Sequence, residues 1–504
     1  MAASVVRSNA MEIELKLRLP PSALAALRAD PLLANIRETR KRLNNIYFDT
    51  PQRILARAGI GLRLRHDGKR WLQTVKGGGG SRAGLHQREE IEFAVAGPAL
   101  EWPPLAGTTF EPALKPLKKL LVPQFRTRFA REVRRLRGDT GAEIELAIDQ
   151  GEILADDRCE PLCELELELL DGSVDDLFSL ALLLIERHPL VAEIATKAER
   201  GDRLAQRTPL APPAKAAMLT LAPDADPQAL ASLSIGQALA HWQANEAGFL
   251  GQPHNSDYDS EYLHQLRVAV RRLRVACGPL ARAVHWHDDA LKPVLAGLRK
   301  LGQRLGAARD WDVFIEETWP PLADQLADAA ARQALQEAAG LLQGTARLQA
   351  RAALEGREGQ RLLLQLGRCL AQANGAARTS FDGVTAVLDQ LDDQLRPALP
   401  RLARLSPARL HRLRIVAKKL RYLTEFTGSR YAPQAIEQWL DWLKQAQTIL
   451  GARNDRMTAK ARIETLCAAT RPRSGKVRRT LQAALRKQPL PKLALPPLPD
   501  PYWQ

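Results

Sequence analysis

The chain has 504 residues, 45% of them hydrophobic, and a formal net charge of +16. That length exceeds one core and calls for two or three domains. No apolar run approaches the roughly 20 residues that span a bilayer, residues 1–10 lack the apolar stretch of a leader, and five scattered cysteines make neither a disulfide framework nor, around Cys159 and Cys163, a zinc site. A reduced, cytoplasmic protein with no membrane partner is expected. The charge is uneven. Residues 231–504 carry 40 Lys/Arg against 25 Asp/Glu, a net of +15, so the second half should attract polyanions.

Residues 11–19 alternate charge and oil, the period of a β-strand. Glu12, Glu14, Lys16 and Arg18 share one face, and Ile13, Leu15 and Leu17 the other. Further strands are predicted at 43–48, 60–66, 70–76, 87–95, 125–137, 142–149, 151–155 and 160–170, with helices at 21–29, 113–121 and 175–187. Gly77-Gly78-Gly79-Gly80 reads as a flexible turn. Several strands repeat the charged face: Arg63 with Arg65, Arg88 with Glu90 and Glu92, Arg126 with Arg128, Glu143 with Glu145 and Asp149, and Glu164 with Glu166 and Glu168. Two arrangements fit. One is a sheet with a solvated outer face. The other is a closed barrel with an ionic lumen, where carboxylates bind divalent metal and Arg/Lys bind phosphate oxygens.

Residues 206–230, rich in Pro, Ala and Asp, read as a linker. From 231 onward Leu, Ala, Arg and Gln recur at helical spacing, and the tail from 488 reads as extended. His264-Gln265-Leu266-Arg267-Val268-Ala269-Val270-Arg271-Arg272-Leu273-Arg274 returns as His411-Arg412-Leu413-Arg414-Ile415-Val416-Ala417-Lys418-Lys419-Leu420-Arg421. Leu305-Gly306-Ala307-Ala308-Arg309-Asp310 returns as Leu450-Gly451-Ala452-Arg453-Asn454-Asp455. Two blocks in the same order at nearly the same offset predict two related helical units, at about 232–345 and 380–485. His264, Arg267, Arg271 and Arg274 fall on one helix face, as do His411, Arg414, Lys418 and Arg421. A histidine heading a row of cations repels metal and suits an anion.

Glu12-Ile13-Glu14-Leu15-Lys16 resembles the Glu-x-Glu-x-Lys signature of the CYTH superfamily, the triphosphate tunnel metalloenzymes. Tyr47-Phe48-Asp49-Thr50, Gly61 to Arg65, Lys76, Arg88 to Glu92, Glu143 to Glu145, Glu164 to Glu168 and Lys197 follow in family order. The resemblance implies an α+β chain that begins with an eight-stranded antiparallel tunnel over residues 1–205. It implies Mg²⁺- or Mn²⁺-dependent chemistry on a triphosphate. Glu12 and Glu14 would bind metal, with Glu143, Glu145, Glu164, Glu166 and Glu168. Lys16, Arg63, Arg65, Lys76, Arg128 and Lys197 would grip phosphate, with Glu90 and Glu92 in the water and metal shell. Glu12, Glu14, Lys16 and Lys197 would be the catalytic set.

The repeated block resembles the CHAD domain, which implies an all-α domain over 231–504 whose basic groove binds long-chain polyphosphate. The joint expectation is hydrolysis of inorganic tripolyphosphate to pyrophosphate and phosphate, at polyphosphate granules. A granule-binding protein with an idle barrel, or an enzyme of organic triphosphates such as a cyclase, remains an alternative. Nucleic acid is disfavoured: aromatics are 5% of the chain, and Phe, Tyr and Trp are absent from the first basic block. Preferred metal and oligomeric state are left open.

Overall fold

A computed structural model describes residues 7–138, 140–207, 209, 211–252, 258–286, 288–372, 380–470 and 475–504. Residues 1–6, part of the segment read as lacking a leader, lie outside the described residues. Two compact units form. One comprises Met1–Leu210 with Glu355–Gln372, the other Ala211–Leu354 with Ala373–Gln504.

The first unit is built on β1 (Arg7–Arg18), β2 (Thr39–Asp49), β3 (Gly61–His66), β4 (Trp71–Arg82), β5 (Leu85–Val95), β6 (Val122–Arg137), β7 (Glu143–Ala155) and β8 (Arg158–Asp171). The strands pair antiparallel in the order β1-β5-β4-β3-β2-β6-β7-β8, and β8 pairs back to β1. The sheet is therefore a closed eight-stranded barrel, which leaves no open edge among these strands. A two-residue β9 (Val191–Ala192) adds to β1.

The predicted strands at 142–149 and 151–155 are one strand, β7. The glycine run is not a turn. It lies inside the β4–β5 hairpin as a bulge, with a register shift between Gly77 and Gly80. Gly79 has φ +84°, and a Cβ there would sit 1.9 Å from the Gln87 carbonyl oxygen, so only glycine fits.

Eleven helices of ten residues or more lie among the described residues: α1 (Val174–Arg187), α2 (Lys197–Gln206), α3 (Pro227–Gly251), α4 (Ser260–Val275), α5 (Asp288–Val313), α6 (Ala329–Glu355), α7 (Arg357–Ala371), α8 (Asp382–Leu395), α9 (Pro407–Thr427), α10 (Pro433–Thr470) and α11 (Gly475–Lys487). None is long and apolar enough to cross a membrane. Helix α1 explains the barrel's direction. It packs Leu177, Phe178 and Leu184 over β1 and β8, where Leu15, Leu17, Leu165 and Leu167 are fully buried. With the aliphatic face covered outside, the charged face of these strands turns inward. On β3 to β5 the outer face is covered by residues 100–121, through Trp102, Leu105, Phe110 and Leu114.

Helix α7 belongs to the barrel unit although its sequence lies between the two repeats. Arg368 donates to both Asp175 oxygens at 2.6 Å, and the Gln360 side-chain oxygen accepts from the Ala192 amide at 2.8 Å. The expected linker is not free from Ala211 onward. Ala211 accepts from the Tyr262 hydroxyl at 2.5 Å, Ala217 from Arg272 at 3.0 Å, and the Leu219 amide donates to Glu425. The tail, expected to be extended, forms no helix or strand, and Trp439 and Trp442 donate to its Asp500 and Pro496 carbonyls at 2.6 and 2.9 Å.

Candidate functional site

Closure of the barrel gathers charges from all around its wall into one cavity of about 260 Å³. Strand β1 supplies Glu12, Glu14 and Lys16, β3 supplies Arg63 and Arg65, and β4 supplies Lys76. Strand β5 supplies Glu90 and Glu92, β7 Glu145, and β8 Glu166 and Glu168. Lys197 enters from the first turn of α2, which Thr196 caps by accepting from the Glu199 amide at 3.1 Å. Among the described residues, the lining holds nine Lys/Arg side chains and eight carboxylates.

These charges sort into two groups. Deep in the barrel, Asp149, Glu164 and Glu166 each bring an oxygen within 4.8 Å of the others. Distance alone would suit a metal, but cations already hold all three. Lys197 lies 2.7 Å from Asp149 and 2.8 Å from Glu166 and also pairs with Glu164. Arg131 binds both Asp149 oxygens at 2.7 and 2.6 Å and pairs with Glu166. Lys16 reaches Glu166 at 2.5 Å, and Arg200 reaches Glu164 at 3.1 Å. Burial favours protonated Glu166, but Lys16, Lys197 and Arg131 overcome it and hold this carboxyl well below its usual range. Burial likewise opposes the Lys16 charge, yet Glu14 and Glu166 raise its affinity for the proton well above the ordinary value.

The second group is short of cations. Glu168 is pushed up to about 7 by burial and by Glu12, with Glu145 and Glu14 adding to it against the pull of Lys76. Among the described residues Glu12 has one close cation, Lys76 at 2.7 Å, which Glu90 shares at 3.3 Å. Glu12, Glu145 and Glu168 thus leave a carboxylate excess on this side of the cavity, whereas the deep trio is paired with lysine and arginine. On the opposite wall, Arg65 is pushed down to about 10 by burial and by Arg63 and Arg131, an excess of positive charge that an anion would relieve.

A second charged cavity, of about 850 Å³, opens in the helical unit. Helix α4 lines it with His264, Arg267 and Arg271, and α9 with Arg414, Lys418 and Arg421. The two repeats make the same contact: Arg267 lies 3.8 Å from Asp310, and Arg414 4.0 Å from Asp455. Burial and the facing arginines push Lys418 down to about 6. Arg267 falls to about 10 through burial and Arg271, and His264 to about 4, mainly through burial.

The sequence matches the CYTH domain family over residues 10–201 and the CHAD domain family over 234–464. The chain is a CYTH domain followed by a CHAD domain. Among curated proteins, an inorganic triphosphatase from Haemophilus influenzae is 32% identical over 201 residues, 39% of this chain. The match spans about half of that relative, 55% of its length. Among solved structures, the CHAD domain from the plant Ricinus communis is 29% identical, with TM-score 0.45, over 54% of this chain and 90% of its own. A Hippeastrum protein named for adenylyl cyclase, and described as having a dominant triphosphatase activity, is 21% identical. Its TM-score is 0.31, over 40% of this chain and 98% of its own.

In the CYTH domain, most residues expected at the site line the one cavity, and Glu164 is fully buried in the deep ion network below it. Two differ. Arg128 is exposed on the outer face of β6, and the arginine this strand sends inward is Arg131. Glu143 sits at the start of β7, 42% exposed and paired with Arg137, outside the cavity lining. Glu164 and Glu166, expected as metal ligands, lie with Asp149 in a cluster compact enough to hold an ion, and they also pair with Lys16, Lys197, Arg131 and Arg200. Sequence reasoning misses Arg131 and Arg200, and it places Asp149 on a charged face without assigning it a role. The signal for Arg131 was its register partner: Arg131 pairs across with Asp149 and Lys41, both in line with inward charges.

In the CHAD domain, Arg274 is exposed and outside the basic cavity. His411 also lies outside it, its Nδ1 2.9 Å from the Asn454 side-chain oxygen, where a neighbouring groove begins. The remaining six expected side chains converge.

Proposed function

We propose that the CYTH barrel hydrolyses inorganic tripolyphosphate to pyrophosphate and phosphate, and that the basic cavity of the CHAD domain binds long-chain polyphosphate, drawing the protein to polyphosphate granules. The observation that carries the reading is a cavity whose opposite walls are a cation excess and a carboxylate excess. Lys16, Arg63, Arg65, Lys76, Arg131 and Lys197 hold phosphate oxygens, the guanidinium groups by paired hydrogen bonds. Asp149, Glu164 and Glu166 fix Lys197 and Arg131 in place. Glu12, Glu14, Glu145 and Glu168 would hold Mg²⁺ or Mn²⁺. A divalent cation bound there supplies polarisation of phosphate oxygens and an acidified water.

Charge supports the metal requirement. Nine cations and eight carboxylates leave the described lining at a formal +1. A tripolyphosphate brings about four to five negative charges, and the side chains alone leave most of them uncompensated. The inorganic substrate is supported by the relative named inorganic triphosphatase and by the lining, where the single aromatic among the described residues, Tyr47, is buried and offers no exposed stacking face.

The test is phosphate release from tripolyphosphate, ATP, thiamine triphosphate and polyphosphate, with Mg²⁺ and with Mn²⁺. Release from tripolyphosphate should dominate and vanish in a Glu12→Ala/Glu14→Ala variant. Release no greater than that of the variant would sink the catalytic reading. For the CHAD cavity, charge reversal at Arg267, Arg271 and Arg414 should abolish a polyphosphate affinity that falls steeply with salt.

A further inference from the structure

A third cavity, of about 1370 Å³, lies in the CHAD domain among the start of α9, the middle of α10, α11 and the tail. Its floor is apolar: Leu410, Leu450 and Leu485 are buried there. Met457 stands in the opening, 60% exposed, and Ala461 beside it is exposed as well. The rim carries Arg412, Arg453, Arg456, Lys460 and Arg486, and among the described lining residues no carboxylate balances them. Arg453 and Arg456 donate to the tail carbonyls of Pro491, at 3.1 Å, and Gln488. The side chains of Arg412 and Lys460 form no hydrogen bond or ion pair with any described residue.

An apolar floor with a cationic rim selects an occupant that is both oily and acidic. A phosphate chain gains nothing from leucine side chains and would lose hydration against them. A lipid gathers its charge at one headgroup, whereas these cations stand on three helices around the groove. On α10 they recur at Arg453, Arg456 and Lys460, at helical spacing along one edge. That spacing complements several carboxylates strung along a second helix. Met457 supplies a polarisable side chain that adapts to a docking surface.

We propose that this groove docks an acidic amphipathic helix of a partner protein, its apolar face on Leu410, Leu450 and Leu485 and its carboxylates along the arginine and lysine rim. The groove shares Asn454 and Thr458 with the basic cavity but presents a different surface, so its occupant is not polyphosphate.

The test uses the full chain and a fluorescein-labelled peptide of about 18 residues, with Leu at i, i+3, i+4 and i+7 and Glu beside them. Fluorescence anisotropy should show saturable binding in the presence of excess polyphosphate. Replacing Glu by Gln, or breaking the peptide with a central Pro pair, should each weaken it by roughly tenfold or more. A Met457→Asp/Lys460→Glu protein should lose a similar factor. Both side chains are exposed, so an unchanged circular dichroism spectrum is expected for that variant. Absence of saturable binding, equal binding of the Pro-broken peptide, or displacement by polyphosphate would overturn the proposal. Displacement by oleate without any preference between the peptides would assign the groove to a lipid and overturn it equally.

Discussion

At the residue scale, like charges forced together set the chemistry of both cavities. Lys418 is the clearest case. It faces His264, Arg267 and Arg271 on α4, Arg414 and Arg421 on its own helix, Asp310 on α5, and Lys444 and Asp455 on α10. Held near 6 without ligand, its amine is largely neutral at pH 8. A bound polyanion reverses the surrounding repulsion and raises the pKa, so binding above pH 6 takes up a proton. Polyphosphate affinity should therefore fall as pH rises from 6 to 8, by up to about tenfold per unit. Lys418→Arg, which stays charged, should flatten that slope. Calorimetric titration at fixed salt in two buffers of different ionisation enthalpy reads the proton directly. Equal heats in both buffers at pH 8 would contradict the linkage. The same scale explains the company that Glu164 and Glu166 keep. A row of carboxylates on one strand says that countercharge must come, and in the fold it comes as Lys16, Lys197, Arg131 and Arg200.

At the element scale, α2 sets the position of Lys197 and Arg200. It lies against β6, β7 and β8, and its close approach rests on Gly201, where a Cβ would fall 2.0 Å from the Phe125 ring. Gly201→Ala should destabilise the barrel by about 1–3 kcal/mol and lift α2, shifting Lys197. Turnover of tripolyphosphate should fall well beyond what the stability loss explains, since a displacement of about 1 Å costs on the order of a hundredfold. Wild-type turnover in a destabilised Gly201→Ala protein would show that α2 does not position Lys197. Strand β6 shows the limit of pattern reading. Its even positions carry Arg126 and Arg128, and its odd positions Phe125 and Phe129. Charge-inward reasoning chose the even face. The odd face is inside: Phe125 packs with Tyr47 and α2, and the wall then continues through Phe129 to Arg131. A strand that is oily at one end and ionic at the other defeats a single-face rule, and a one-residue error in parity reverses every side chain.

At the scale of the whole molecule, sequence order and structural unit part company at α7. Its residues lie between the two CHAD repeats, yet Gly367 packs so tightly on Ala83 and Phe178 that a Cβ would meet each at 2.7 Å. Gly367→Val in the full chain should therefore loosen the CYTH unit. Hydrogen exchange should quicken in α1 and β9 and stay unchanged in α9 and α10. Quickened exchange in the helical unit alone would refute that assignment. The sequence by itself determined the alternating strands, the ionic signature from Glu12 to Lys16 and the two basic repeats, because periodicity and charge spacing are local properties of the chain. Tertiary structure decided that the charged faces point inward, that Arg131 rather than Arg128 joins them, that the deep carboxylates are paired with lysine and arginine, and that α7 completes the barrel unit. Each depends on closure or on a partner far away in sequence, since a face is buried only by what covers it.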